Sequence, residues 1–225
     1  MKIVKCISVI AVIAMMASCG GGSGSSSSGK KLASNEFLGD LPNLIYQYVY
    51  QDSVITADWK AAEGKFNEPF KSGKKTPTES DWKKAKELDE KWKAKGDEAE
   101  AKFAAEIEKI KPSFIGREIP VEMEEGIGFE VTPAKIIDVS GIYITVETSV
   151  TITDAQAKEL SMLKYGRFDY SWQILDKEGN RIGGNCASSQ EIGRENGATG
   201  TIKLSIGIAN PQQFVNFEKI RFVKD

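Results

Sequence analysis

The 225-residue chain is 40% hydrophobic, 28% charged and 9% aromatic, an ordinary globular composition that excludes collagen-like, wholly disordered and polytopic membrane architectures. Thirty basic against 32 acidic residues give a formal charge of −2, without the positive excess that a phosphate backbone demands of its partners, so nucleic acid is not an expected ligand. Histidine is absent, which removes Ser-His-Asp and Cys-His catalysis, His-ligated zinc and imidazole pH switching together.

The N-terminus places Lys2 and Lys5 before an apolar run from Ile7 to Met16, then Ala17-Ser18-Cys19. A charged region, a short hydrophobic region and small residues in that order predict a signal peptide over residues 1–18. The apolar run is shorter than the roughly 20 residues that span a bilayer. Small residues followed by Cys19 resemble the lipobox of bacterial lipoproteins, with Met16 standing where leucine is usual. That resemblance implies cleavage before Cys19 and lipidation of its thiol, hence a membrane-anchored protein of the cell envelope, on the periplasmic face of the outer membrane. Losing Lys2 and Lys5 leaves 28 basic and 32 acidic residues, a charge of −4. Cys6 departs with the peptide and Cys19 is acylated, so Cys186 has no partner for an intrachain disulfide and reads as a small buried hydrophobe.

Residues 19–39 begin with the lipidated cysteine and continue as a tether, since Gly20 to Gly29 contains only glycine and serine. Gly24 to Lys31 nearly spells a phosphate-binding loop, but Lys31 occupies the place of the magnesium-binding Ser or Thr and no strand precedes it. Residues 40–112 are rich in Lys, Glu and Ala, whereas residues 113–225 are rich in Val, Ile, Thr and Gly and hold all five arginines. The composition therefore predicts two regions meeting at Pro112, the second of them an independent domain.

The first helix is expected to start with Asp40 as N-cap and Pro42 in its first turn. Leu41, Ile45, Tyr48, Ile55, Trp59, Ala62 and Phe66 share one face, and Asp52-Ser53 interrupts the stripe with a possible break. Pro69 and the stretch from Ser72 to Pro77 end this helix. The second is predicted from the capping box Thr78-Glu79-Ser80-Asp81 to Lys111, with Trp82, Ala85, Leu88, Trp92, Ala99, Phe103 and Ile110 on one face. A short connection then predicts an antiparallel helical hairpin with coiled-coil character. Trp59, Trp82 and Trp92 offer an aromatic platform for sugars or quaternary amines, but a seam between the two helices accounts for all three. Asp52-Ser53-Val54 resembles a short bacterial O-glycosylation acceptor at Ser53, and a helix break explains it equally.

Beyond Pro112 the period becomes two. Ile142, Ile144, Val146, Thr148, Val150 and Ile152 alternate with polar residues, as do Phe168 to Ile174, Ile202 to Ile208, and Ile220 with Phe222. Shorter strands are expected at Ile119 to Met123, Gly128 to Val131 and Ala134 to Val139, with a hairpin turn over Asp176 to Asn180 and a longer loop from Gly193 to Gly200. Six or seven strands around a central Trp172 resemble an immunoglobulin-like antiparallel β-sandwich, without the disulfide of antibody domains. The fold class expected is thus α+β, a helical hairpin followed by a sandwich.

Ser-x-x-Lys occurs at Ser28, Ser72, Ser80 and Ser161 without the companion motifs of penicillin-recognising enzymes. Glu122, Glu124 and Glu125 cluster before Gly126; the adjacent pair points to opposite faces of a strand, and no calcium loop organises the cluster. These patterns lead to an expectation of a non-catalytic envelope lipoprotein, binding another envelope protein or a glycan, with no cofactor and no metal. The alternatives are a carbohydrate-binding module or a carboxylate-dependent hydrolase. Tyr143 and Tyr165, outside the assigned core stripes, are the candidate binding surface, and packing against the helices is their competing role.

Overall fold

The computed structural model describes residues 31–154, 168–189, 192–193 and 195–224, excepting the side chains of residues 168, 169 and 186–189. Within them the chain is α+β, two N-terminal helices followed by largely antiparallel sheets.

Helix α1 runs from Leu41 to Lys71 and α2 from Glu79 to Ile110. Pro42 sits in the first turn of α1, where its missing N–H has no helical partner to lose. The helix passes through Asp52 and Ser53 unbroken, so the break that the interrupted stripe allowed does not occur. Asp52 remains half-buried instead of turning the chain. At α2 the capping box forms in full: the Thr78 hydroxyl accepts from the Asp81 N–H, and the Asp81 carboxylate accepts from the Thr78 N–H at 3.0 Å. Lys75 reaches the same carboxylate at 2.7 Å.

The two helices meet through Tyr48, whose ring stacks on Phe103 at 4.2 Å between centroids, and through Trp59, whose Nε1 donates to Asp89 at 3.3 Å. Full burial of apolar side chains is confined to one end of each. Leu41, Pro42 and Ile45 are buried on α1 and Ala99, Phe103 and Ile107 on α2, whose opposite end buries only the capping Asp81. Farther out, Ile55, Trp59, Phe66, Leu88 and Trp92 are only half-buried, because two helices alone cover one seam.

A 3₁₀ turn at Lys111–Ser113 takes the chain past Pro112 into nine described strands: β1 (Glu118–Ile119), β2 (Val121–Met123), β3 (Phe129–Val131), β4 (Ala134–Ser140), β5 (Tyr143–Ile152), β6 (Phe168–Asp176), β7 (Arg181–Ser189), β8 (Thr199–Gly207) and β9 (Phe217–Val223). A four-residue helix, α3 (Pro211–Phe214), joins the last two. In the first sheet β5 is central, with β4 and β3 along one edge and β8 along the other. The second sheet has the order β2-β9-β6-β7.

Pro120 separates β1 from β2, and the chain changes sheets there: β1 pairs antiparallel with β4, whereas β2 pairs parallel with β9. A proline cannot donate to a ladder, which suits it to the crossing, and its carbonyl accepts from the Ile220 N–H at 3.0 Å. The parallel β2–β9 pair is a departure from the all-antiparallel pairing expected. Strand β7 was absent from the periodicity because Gly183-Gly184-Asn185 carries no apolar alternation. Pairing with β6 holds it, and at Gly184, with φ of 115°, any Cβ would lie 2.3 Å from the Trp172 carbonyl oxygen.

One apolar core links both sheets and the inner ends of the helices. Ile144, Val146, Val150, Leu204 and Ile206 of the first sheet join Trp172, Ile174, Ile220 and Phe222 of the second, and Leu38, Leu41, Ile45, Phe103 and Ile107 complete it. Phe129 meets Phe222 edge-on across the two sheets, with centroids 5.6 Å apart. The core therefore crosses the compositional boundary at Pro112. Polar contacts cross it too: Lys111 pairs with Asp138 at 2.5 Å, and Arg117 donates to the Phe37 carbonyl at 3.1 Å. Asn35, 4% exposed, donates from Nδ2 to the carbonyls of Val215 and Phe217 at 3.0 and 2.8 Å. Its Oδ1 accepts from the Phe37 and Leu38 N–H groups.

Candidate binding surfaces

Tyr143 opens β5 just after the turn at Gly141, whose φ of 57° allows the tight reversal from β4. The residue is 52% exposed. Directly across the ladder lies Gly207, and a Cβ there would meet the Tyr143 ring at 3.0 Å. The ring thus covers a glycine that has no side chain of its own to pack, while its outer part faces solvent. Packing and exposure coexist at this residue. Tyr165 and Cys19 lie outside the described residues, and so does the side chain of Cys186, whose backbone pairs with Ser171 in β7.

Of the carboxylates singled out from the sequence, Glu122, Glu124 and Asp176 are engaged, while Glu125 is exposed. Glu122 on β2 reaches across the parallel ladder to Lys219 at 2.5 Å and to Arg221 at 3.5 Å, and these cations hold its carboxyl below the usual range despite partial burial. Glu124 accepts from the backbone N–H of Lys224 at 2.9 Å. Asp176 closes the predicted turn, accepting from the N–H groups of Glu178 and Asn180 at 3.0 and 2.7 Å. Desolvation acts to raise its pKa, but these hydrogen bonds outweigh it and the net direction is downward. Glu122 is a cross-strand partner and Asp176 a turn cap, both with proton affinity lowered, whereas a general acid needs it raised.

Trp172 points into the core, 6% exposed, with its Nε1 buried and without a hydrogen-bond partner among the described residues. It does not open onto a surface. Neighbouring Tyr170 is 5% exposed, and burial pushes its phenol up to about 12. No group of three or more Cys, Asp or Glu side chains suited to a metal occurs among the described residues.

On the helices the three tryptophans separate. Trp59 and Trp92 are half-buried, and the Lys95 ammonium sits 4.0 Å from the Trp92 ring centroid. Trp82 is 67% exposed, contrary to its expected place on the buried face. The seam starts one residue earlier, at Asp81, which must face Thr78 and Lys75 to cap the helix. Trp82 is then rotated about 100° away from it. With Glu79, Ser80, Lys83 and Lys86 it lines a shallow, open depression. The capping box was legible in the sequence, but its consequence for Trp82 depends on which side of the helix the cap occupies. Ser53 is exposed midway along α1, its hydroxyl donating to the Tyr50 carbonyl at 2.6 Å.

The chain matches no known protein family, no curated protein and no solved structure.

Proposed function

We propose that this protein is a non-catalytic lipoprotein of the cell envelope, a lipid-anchored binding or structural module. The observation that carries the reading is the order of the N-terminal segments: a charged start, a short apolar run, Ala17-Ser18-Cys19, and a Gly/Ser tether leading into the folded body. No described helix is long and apolar enough to cross a membrane, and the proposed lipid on Cys19 supplies the attachment instead. The body is read as a helical hairpin on an immunoglobulin-like β-sandwich, a reading supported by the Tyr48–Phe103 stack and by two sheets meeting in one core. Engagement of Glu122, Glu124 and Asp176 in ion pairs and caps supports a binding role over hydrolysis.

The expected setting is the periplasmic face of the outer membrane, with another envelope protein or a glycan as partner of the head. Metabolic labelling with a clickable fatty acid should mark the wild-type chain and not Cys19→Ala; equal labelling overturns the anchor. Digestion by protease added to intact cells would contradict the periplasm-facing placement. Pull-down from envelope extract with wild type, Tyr143→Ser and Tyr165→Ser tests the binding surface, and capture unaffected by either change rejects it. Turnover of a glycan or peptide library that Glu122→Gln abolishes would replace the reading with a hydrolase.

A further inference from the structure

The outer end of the two helices differs in charge from the rest of the chain. Over residues 65–86, which comprise the last two turns of α1, the connection and the first two turns of α2, seven lysines stand against three carboxylates, a net charge of +4 in a chain of net −2. Of the three carboxylates, Asp81 is already taken by Lys75 and the capping box. Lys65, Lys71, Lys74, Lys83 and Lys84 are exposed and form no ion pair among the described residues. Trp82, the most exposed large apolar side chain among the described residues, projects from the middle of this cationic patch.

These features pull in one direction. A two-thirds exposed indole leaves a large apolar ring in water although the adjacent seam has room for half-buried Phe66, Phe70 and Leu88. Lysines around such a ring attract negative charge, while the ring itself prefers the boundary between headgroups and acyl chains. A helix end with both is suited to lie against a charged lipid surface, dipping the ring to headgroup depth while the ammonium groups remain at the phosphates. The open depression beside Trp82 is lined by Lys83 and Lys86 together with Glu79 and Ser80.

We propose that the outer end of the α1–α2 pair is a docking site for an anionic phospholipid bilayer, with Trp82 as the interfacial anchor and Lys71, Lys74, Lys83 and Lys84 as the electrostatic contacts. The site acts independently of lipidation at Cys19, so the two attachments can be tested apart. Its affinity is set by lipid charge and ionic strength, because the contact is exposed and screened by salt.

The test uses the chain from residue 20 onward, which retains every described residue and lacks the cysteine. Vesicles of phosphatidylcholine alone, and of phosphatidylcholine with phosphatidylglycerol in roughly equal parts, are sedimented with it, and tryptophan emission is followed in parallel. Wild type should sediment with the charged vesicles only, shift its emission to the blue, and release when salt is raised from about 0.1 M to about 1 M. Lys71→Glu/Lys74→Glu/Lys83→Glu should weaken the partition about tenfold or more, and Trp82→Phe should abolish the emission shift, both with unchanged circular dichroism. Lys203→Glu, on β8 of the head, should bind as wild type. Equal partition into neutral vesicles, or partition undiminished in the triple variant, overturns the proposal. Retention on a soluble sulfated polysaccharide with no vesicle binding would overturn it in favour of a polyanion. Failure of fatty-acid labelling at Cys19 leaves this result untouched, and the reverse holds too.

Discussion

Asn35 shows how much structure one buried amide organises. Its Nδ2 satisfies two carbonyls next to β9 and its Oδ1 two N–H groups before α1, so a single side chain joins segments 180 residues apart. Asn35→Ala leaves those groups short of partners in a site closed to water and should cost about 2–4 kcal/mol, read from urea denaturation at unchanged slope. Nothing in its sequence neighbourhood marked it, because its partners come from the far end of the chain. Asp52 is the opposite case. Burial in the helix seam raises its carboxyl pKa, and Glu100 on α2 raises it further. The folded-state pKa therefore lies above the unfolded one. The favourable contribution of the protonated form is complete below the ordinary aspartate range and is lost as pH rises through the raised folded value. Asp52→Asn should accordingly raise the melting temperature at neutral pH and leave it near wild type in acid. A wild-type melting temperature that climbs as pH rises through that window more steeply than that of Asp52→Asn would contradict the assignment.

At the level of elements, period-two alternation located the strands well. Ile144, Val146, Thr148, Val150 and Ile152 on β5 and Ile202, Leu204 and Ile206 on β8 are all buried as their alternation requires. Thr148 keeps its place among them by donating its hydroxyl to the Thr132 carbonyl. What alternation cannot show is strand order, and the crossing at Pro120 with its parallel pairing depends on contacts to residues 220–222, about a hundred positions away. The helical stripe on α1 was equally readable, whereas on α2 the capping geometry displaced Trp82 from it. Apolar burial falls along both helices with distance from the head, from Ile45 and Ile107, 0% and 2% exposed, to Val54 on α1 and Trp82 on α2, 43% and 67% exposed. Local opening follows burial. Amide exchange should be slowest around Ile45 and Phe103 and fastest near Lys71 and Glu79, and uniform protection along α1 would refute this gradient. Thr78→Ala removes the α2 cap and should cost about 1 kcal/mol locally, seen as faster exchange in the first turns of that helix.

For the whole molecule the decisive fact is that core and composition divide the chain differently. The lysine-rich text ends at Pro112, but the core takes Leu38, Leu41, Ile45, Phe103 and Ile107 from before it. Burying a side chain of this size contributes about 1.5–3 kcal/mol, so losing five exceeds the 5–15 kcal/mol net stability of many domains or comes close to it. A fragment from Ser113 to Asp225 should thus be unfolded or melt far below the full chain. A cooperative transition near the full-length temperature would show instead that the head stands alone. Replacing residues 55–92 with a short loop removes the outer helices but keeps all five contacts, and should preserve the head's melting transition.

The junction at Asn35 also has a mechanical meaning. The chain enters the core at Asn35, and α1 begins six positions later, so tension applied to the segment before it reaches the interior here. The Asn35 amide bonds link that segment directly to the neighbourhood of β9, a strand flanked by β6 and β2. At 1.5 Å per residue the 31 residues of α1 extend about 46 Å. A sideways drag on the outer end is therefore converted into torque at the junction, multiplied by a lever many times longer than the hydrogen bonds that resist it. Under sustained load, rupture should begin with the Asn35 bonds and spread inward, leaving the paired strands as the last element to yield.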